Sequence, residues 1–100
     1  MDEYKVKLTP RAYRDIEDIF TYIAVEKMAE ENAGEQTYRI WRALEKLKFF
    51  PASHQDRIVG RYASQGYKQL LIDNYVAIFR IDKDRKTVYV ITVQYQGRNV

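Results

Sequence analysis

The clearest signal along the chain is where apolar positions fall. "YKVKL", Tyr4 to Leu8, alternates apolar with basic residues, which predicts a short strand with one buried face. "TPRAYRDIEDIFTYI" then switches period. Ala12, Ile16, Ile19 and Ile23 recur at helical spacing with Phe20 beside them, Thr9 suits an N-cap, and Pro10 suits the first helical position. Asp15 and Glu17 lie early, where a helix dipole favours negative charge. A first helix is expected from about Pro10 to Lys27.

"MAEENAGEQ" breaks that pattern. Asn32 with Glu35 three positions on resembles an N-cap and its return partner. A second helix is therefore expected from about Ala33 to Phe49, with Thr37, Ile40, Trp41, Leu44 and Leu47 as its apolar stripe and Pro51 beyond its end. Trp41 is placed in the core. The two helices form an antiparallel hairpin.

Residues Ala52 to Gly66 are polar and irregular, with one short strand or turn expected around Ile58 to Tyr62. Three firmer strands follow: "YKQLLI" (Tyr67 to Ile72), "YVAIFRI" (Tyr75 to Ile81) and "TVYVITVQY" (Thr87 to Tyr95). Asp73-Asn74 and the charged "DKDRK" mark the turns between them. Phe79, Ile81, Ile91 and Val93 are expected in the core, although strand parity alone leaves open which sheet face is inward. The order β-α-α-β-β-β points to one α+β domain over residues 1–100. In it an N-terminal strand joins a three-strand antiparallel meander, the helix hairpin packs on one face, and the other face is left for solvent or a partner.

Composition narrows the function classes. One hundred residues with 46% hydrophobic content suffice for one modest core. There is no cysteine, hence no disulfide framework or thiolate site, which fits a reducing compartment. No apolar run approaches membrane-spanning length and no signal-peptide pattern opens the chain, so a soluble cytoplasmic protein is expected.

The net charge of +3 is unevenly spread. Residues 1–50 carry 9 Lys and Arg against 10 Asp and Glu, and residues 51–100 carry 8 against 4. A basic second half suits either an anionic partner or ordinary surface solvation.

Few residues suggest chemistry. His54, the single histidine, lies in a loop after a helix exit and reads as a solvated side chain rather than a general base. No His, Cys and Asp spacing suggests a metal, and no glycine-rich phosphate loop or nucleophile elbow is present, so no cofactor is expected. Arg57, Arg61, Lys68, Arg80 and Arg98 are candidate phosphate- or target-binding cations, because neighbouring strand ends of a meander meet. Tyr62, Tyr67 and Tyr95 could supply stacking surfaces, or simply pack with their polar tips outward. Arg98 stands out, since Gly97 gives the backbone freedom just past the last strand.

The order and spacing of "YKVKLTPRAYRDIEDIFTYIA", "ENAGEQTYRIWRALEKLKFFP", "GYKQLLIDNYVAIFRID" and "TVYVITVQYQGR" resemble the RelE/ParE superfamily of toxins from bacterial type II toxin–antitoxin modules. That resemblance implies a growth-arresting toxin, a role in plasmid stabilisation, and neutralisation by a cognate antitoxin whose often acidic segment orders on binding. It implies one of two targets: DNA gyrase, inhibited without catalysis, or the ribosome with its mRNA, cleaved by a metal-independent endonuclease. Under the nuclease alternative the resemblance assigns Lys68, Tyr95 and Arg98 to catalysis. Several ribosome-dependent members carry Arg directly after the aromatic of the central strand, where this chain has Val76. That departure favours the gyrase reading. A third alternative is a degenerate member that binds its antitoxin without toxicity.

Overall fold

A computed structural model describes residues 3–97; Arg98 lies outside the described residues. β1 (Lys5–Leu8) leads into α1 (Pro10–Thr21), a π-helical segment (Tyr22–Glu26), α2 (Glu30–Glu45) and two short 3₁₀ turns. β2 (Lys68–Ile72), β3 (Tyr75–Asp82) and β4 (Thr87–Tyr95) complete the chain. The sheet order is β1-β4-β3-β2. The meander pairs antiparallel, and β1 joins it parallel to β4, with Val6 opposite Val88 and Leu8 opposite Val90. This is the expected α+β architecture.

Thr9 caps α1 as its sequence suggests, its hydroxyl accepting from the Ala12 amide at 3.1 Å and donating to the Ile91 carbonyl at 2.8 Å. The cap thus ties the helix start to β4. The helical path runs to Glu26, but its last turn widens: the Lys27 amide bonds the Tyr22 carbonyl five residues back. Met28, at φ 51°, then reverses the chain.

The second helix begins earlier than expected. Its N-cap is Ala29, whose carbonyl takes the Ala33 amide at 2.9 Å, and Asn32 already lies in its first turn. The reversal at Met28 leaves Glu30 and Glu31 to supply the negative charge that the helix start prefers. The α-helical geometry ends at Glu45, and Lys46–Lys48 tighten into a 3₁₀ turn.

Trp41 is not core: it is 38% exposed, its ring 5.7 Å from that of Tyr13 on the outside of the hairpin. The buried row of α2 is Ala33, Thr37, Ile40 and Leu44. Trp41, one residue past Ile40, is turned about 100° away from that row.

No strand forms around Ile58 to Tyr62. Gly60 and Ser64 take left-handed backbone angles, and the Ser64 amide closes back onto the Arg57 carbonyl at 3.1 Å, so the segment is a set of turns.

Register divides the sheet into two faces. Leu70, Ala77, Phe79, Val88, Val90 and Val93 face the helices and form the core with Ala12, Ile16, Ile40 and Leu44. Phe79 and Val93 are buried as expected, whereas Ile81 and Ile91 are half-buried. Ile91 is displaced by a bulge: Phe79 pairs with Val90 and Ile78 with Thr92, so Ile91 has no partner on β3. The face away from the helices is not simply open, because Val76 and Ile78 lie on it and are 2% and 0% exposed.

Candidate functional site

Of the sequence-expected cations, Arg57, Arg61, Lys68 and Arg80 lie among the described residues. Lys68 opens β2 opposite Phe79. Its ammonium is 2.8 Å from Asp56 Oδ1 and 3.1 Å from the His54 carbonyl oxygen, and the side chain is only 20% exposed. Arg57 is buried and works as a loop clamp. Its guanidinium donates to the Val59 carbonyl at 3.0 Å and to Gln69 Oε1 at 2.9 Å, and its amide donates to the Tyr67 carbonyl at 2.8 Å.

Arg80 points away from the helices, its guanidinium 4.4 Å over the Tyr89 ring, a cation–π contact. Arg61 is exposed in the turns. Tyr62 and Tyr67 stack edge to face at 5.0 Å, so these rings pack on one another rather than standing free as platforms.

His54 is not the solvated side chain its loop position suggests. It is half-buried, edge-on to Phe79 at 5.9 Å. Burial, and then the nearby Lys68 charge, hold its pKa below the usual 6.5.

Tyr95 closes β4 at the other end of the sheet, opposite Tyr75, with ring centroids 6.0 Å apart. Tyr75 and Phe79 mark the β3 partners of Tyr95 and Lys68. Four residues at about 3.3 Å each place the two candidates about 13 Å apart along the strand. They share one face of the sheet.

The reason for Gly97 also becomes concrete. Its φ is not left-handed, but a Cβ there would meet Tyr95 Cε2 at 2.6 Å. Any larger residue there would push the Tyr95 ring aside.

The turn end of the helix hairpin, at residues 22–32, stands against the start of β3 and the end of β4. A cleft of about 970 Å³ there is lined by Asp15, Tyr22, Arg39, Tyr75 and Tyr95 among others. Tyr22 projects into it from the π-helical turn. Burial, then the neighbouring Tyr95 and Tyr22, push the Tyr75 phenol above its ordinary 10.

Asp15 serves structure here: its Oδ2 accepts from the Thr92 hydroxyl and, at 3.0 Å, from the Val93 amide, satisfying β4 beyond the point where β1 stops. Arg39 bonds Asp73 Oδ2 at 2.9 Å, and this bond, with a second from Gln36, holds the Asp73 carboxyl below the usual 3.8. Sequence reading missed Asp15 and the Arg39–Asp73 link, because both bridge elements far apart in the chain. Among the described residues no three His, Cys, Asp or Glu side chains gather as metal ligands, and no helix is long and apolar enough to cross a membrane.

Two helices against a four-stranded mixed sheet in this order define the RelE/ParE class of fold. The fold matches the chromosomal ParDE toxin–antitoxin system of P. aeruginosa with a TM-score of 0.74 at 18% identity, covering 93% of this chain and 96% of that one. It matches the RelBE2 toxin–antitoxin complex of Mycobacterium tuberculosis with a TM-score of 0.63 at 20% identity, covering 98% and 97%. The archaeal RelE–RelB complex of Pyrococcus horikoshii OT3 matches with a TM-score of 0.65 at 13% identity, covering 96% and 98%. A comparison with curated protein sequences gives no match. At sequence level, the profile of the family described as "ParE toxin of type II toxin-antitoxin system, parDE" matches residues 6–100. The chain belongs to this ParE toxin family, within the RelE/ParE superfamily.

Proposed function

We propose that this toxin arrests growth by inhibiting DNA gyrase without catalysis of its own, and that a cognate antitoxin neutralises it. The observation that carries the choice of target is the separation of Lys68 from Tyr95. Lys68 is closed into an ion pair with Asp56, while Tyr95 packs on Tyr75 at the opposite end of β3. A phosphodiester cleavage needs its acid, base and charge stabiliser within hydrogen-bond reach of one phosphate. These two side chains are not so arranged. The buried Val76 adds support, since it occupies the position where several ribosome-cleaving relatives carry an arginine.

The test is induction of the toxin alone, with DNA and mRNA followed separately. Gyrase-linked DNA breaks and an SOS response with intact transcripts are expected. Transcripts cut within codons on translating ribosomes would replace the gyrase reading with the nuclease one. Normal growth would reduce the protein to an antitoxin-binding relative.

A further inference from the structure

The outer side of the helix hairpin carries aromatic side chains that the described residues leave exposed. Tyr13 and Phe20 lie seven residues apart on α1 and share one flank of it, and Gly34 and Trp41 share a flank of α2 in the same way. The Tyr13–Trp41 ring contact shows that these two flanks face each other across the hairpin. The helices run antiparallel, so Phe20 stands level with Gly34. Tyr13, Phe20, Trp41 and Tyr38 are all exposed.

Gly34 has no local reason to be glycine. Its φ is not left-handed, and a Cβ there would meet nothing within 4 Å. Glycine inside a helix costs stability relative to alanine, and no contact within the described chain offsets that cost. The groove between the helices is therefore lopsided, with two large rings at one end and one ring beside a bare glycine at the other.

We propose that two copies of this chain pair through these outer faces as a reversible two-fold homodimer. A two-fold axis crossing both helices at the level of Tyr38 sets Trp41 of each copy over Gly34 of the other, because the two positions lie three to four residues either side of that axis. The same axis brings Tyr13 against Phe20. The flanking charges obey it too: Arg42 comes opposite Glu35 of the other copy, and Arg14 opposite Glu17. None of these four makes an ion pair among the described residues. This self-matching of bulk with hollow and of cation with carboxylate selects a second copy as the occupant. The twelve residues of α1 make the face about 18 Å long, and two helices make it about 20 Å wide. That is about half of a standard interface of about 800 Å² per partner, so the pair dissociates in the micromolar range.

The test is sedimentation equilibrium of the whole protein from low micromolar to submillimolar concentration, with fluorescence alongside. Trp41 is the single tryptophan, so its emission reports on this face alone. A monomer–dimer equilibrium is expected, with the emission moving to the blue as the dimer forms. Gly34→Gln fills the hollow and should weaken pairing at least about tenfold, while the dilute variant melts higher for want of a helical glycine. Arg42→Glu and Glu35→Arg should each stay monomeric where the wild type pairs. An equimolar mixture of these two variants should pair again, because opposite charges then meet on both sides of the axis.

A protein that stays monomeric throughout, association that continues beyond the dimer, pairing that leaves the Trp41 emission unmoved, wild-type pairing of Gly34→Gln, or a mixture of the two charge variants that stays monomeric would each overturn the inference.

Discussion

The Lys68 ammonium sits 2.8 Å from the Asp56 carboxylate and also donates to the His54 carbonyl, pinning the loop before β2 to the edge of the sheet. This makes Lys68 a fastener. Asp56 is 73% exposed, so the ion pair itself adds only about 0–1 kcal/mol. Lys68→Met should leave global stability nearly unchanged in urea titration, while amide exchange at Arg57 and Gln69 accelerates locally. Under the gyrase reading it should also leave growth arrest intact.

Asp15 carries more weight than Lys68. Its one carboxylate oxygen serves both the Thr92 hydroxyl and the Val93 amide, on a strand whose side toward α1 has no β1 residue to pair with. Asp15→Ala strands those donors in a partly buried place, at a cost of about 1–3 kcal/mol. Chemical denaturation of Asp15→Ala, Thr92→Val and the double variant should show coupling, because both single changes break one shared interaction. Additive losses would mean that the two residues act separately.

The helix hairpin offers a direct check on which residues form the core. Ile40→Ala empties a fully buried position and should cost about 2–5 kcal/mol. Trp41→Ala, one residue on, removes a larger side chain that is already 38% exposed and should cost less than Ile40→Ala. Melting curves of the two variants give the order, and a larger loss at Trp41 would place the tryptophan in the core.

His54 introduces a pH dependence whose sign follows from its lowered pKa. Above pH 6.5 the ring is neutral in folded and unfolded chains alike and has no effect. As pH falls below 6.5 the unfolded chain takes up the proton first, so stability is lost until pH passes the folded pKa, and is flat below it. The wild-type advantage over His54→Gln in urea midpoint should therefore shrink between pH 7.5 and pH 5. An NMR titration should place the His54 midpoint below 6.5, and a midpoint above 6.5 would reverse the argument.

What the sequence made legible was whatever is local. Thr9, Pro10 and the Ala12–Ile16 spacing place α1 because cap and period act within a few residues. The meander follows from β-branched and aromatic density together with Asp73-Asn74. What it hid depends on contacts across the chain. The start of α2 turns on the reversal at Met28, the displacement of Ile91 turns on a bulge opposite β3, and the burial of Ile78 lies on a face that parity alone left unassigned. The site residues were hidden for the same reason. Lys68 and Arg57 look like free cations in a list of basic residues, and their partners Asp56 and Gln69 become visible only once β2 and its loop are paired.

Tyr95 separates the two toxin mechanisms with the smallest chemical change. Its ring stacks edge-on to Tyr75, and the chain at Gly97 folds against it, so the aromatic body has a packing role independent of its hydroxyl. Tyr95→Phe keeps that body and removes the only proton the side chain can donate. If the protein acts on gyrase without catalysis, the phenylalanine variant should arrest growth as the wild type does. Tyr95→Ala should weaken arrest in step with lost stability, through the emptied contact with Tyr75. In the nuclease case, Tyr95→Phe should abolish transcript cleavage while the melting temperature stays within a degree or two. Growth curves beside thermal melts of the two variants decide it, and loss of arrest in a stably folded Tyr95→Phe protein would overturn the non-catalytic reading.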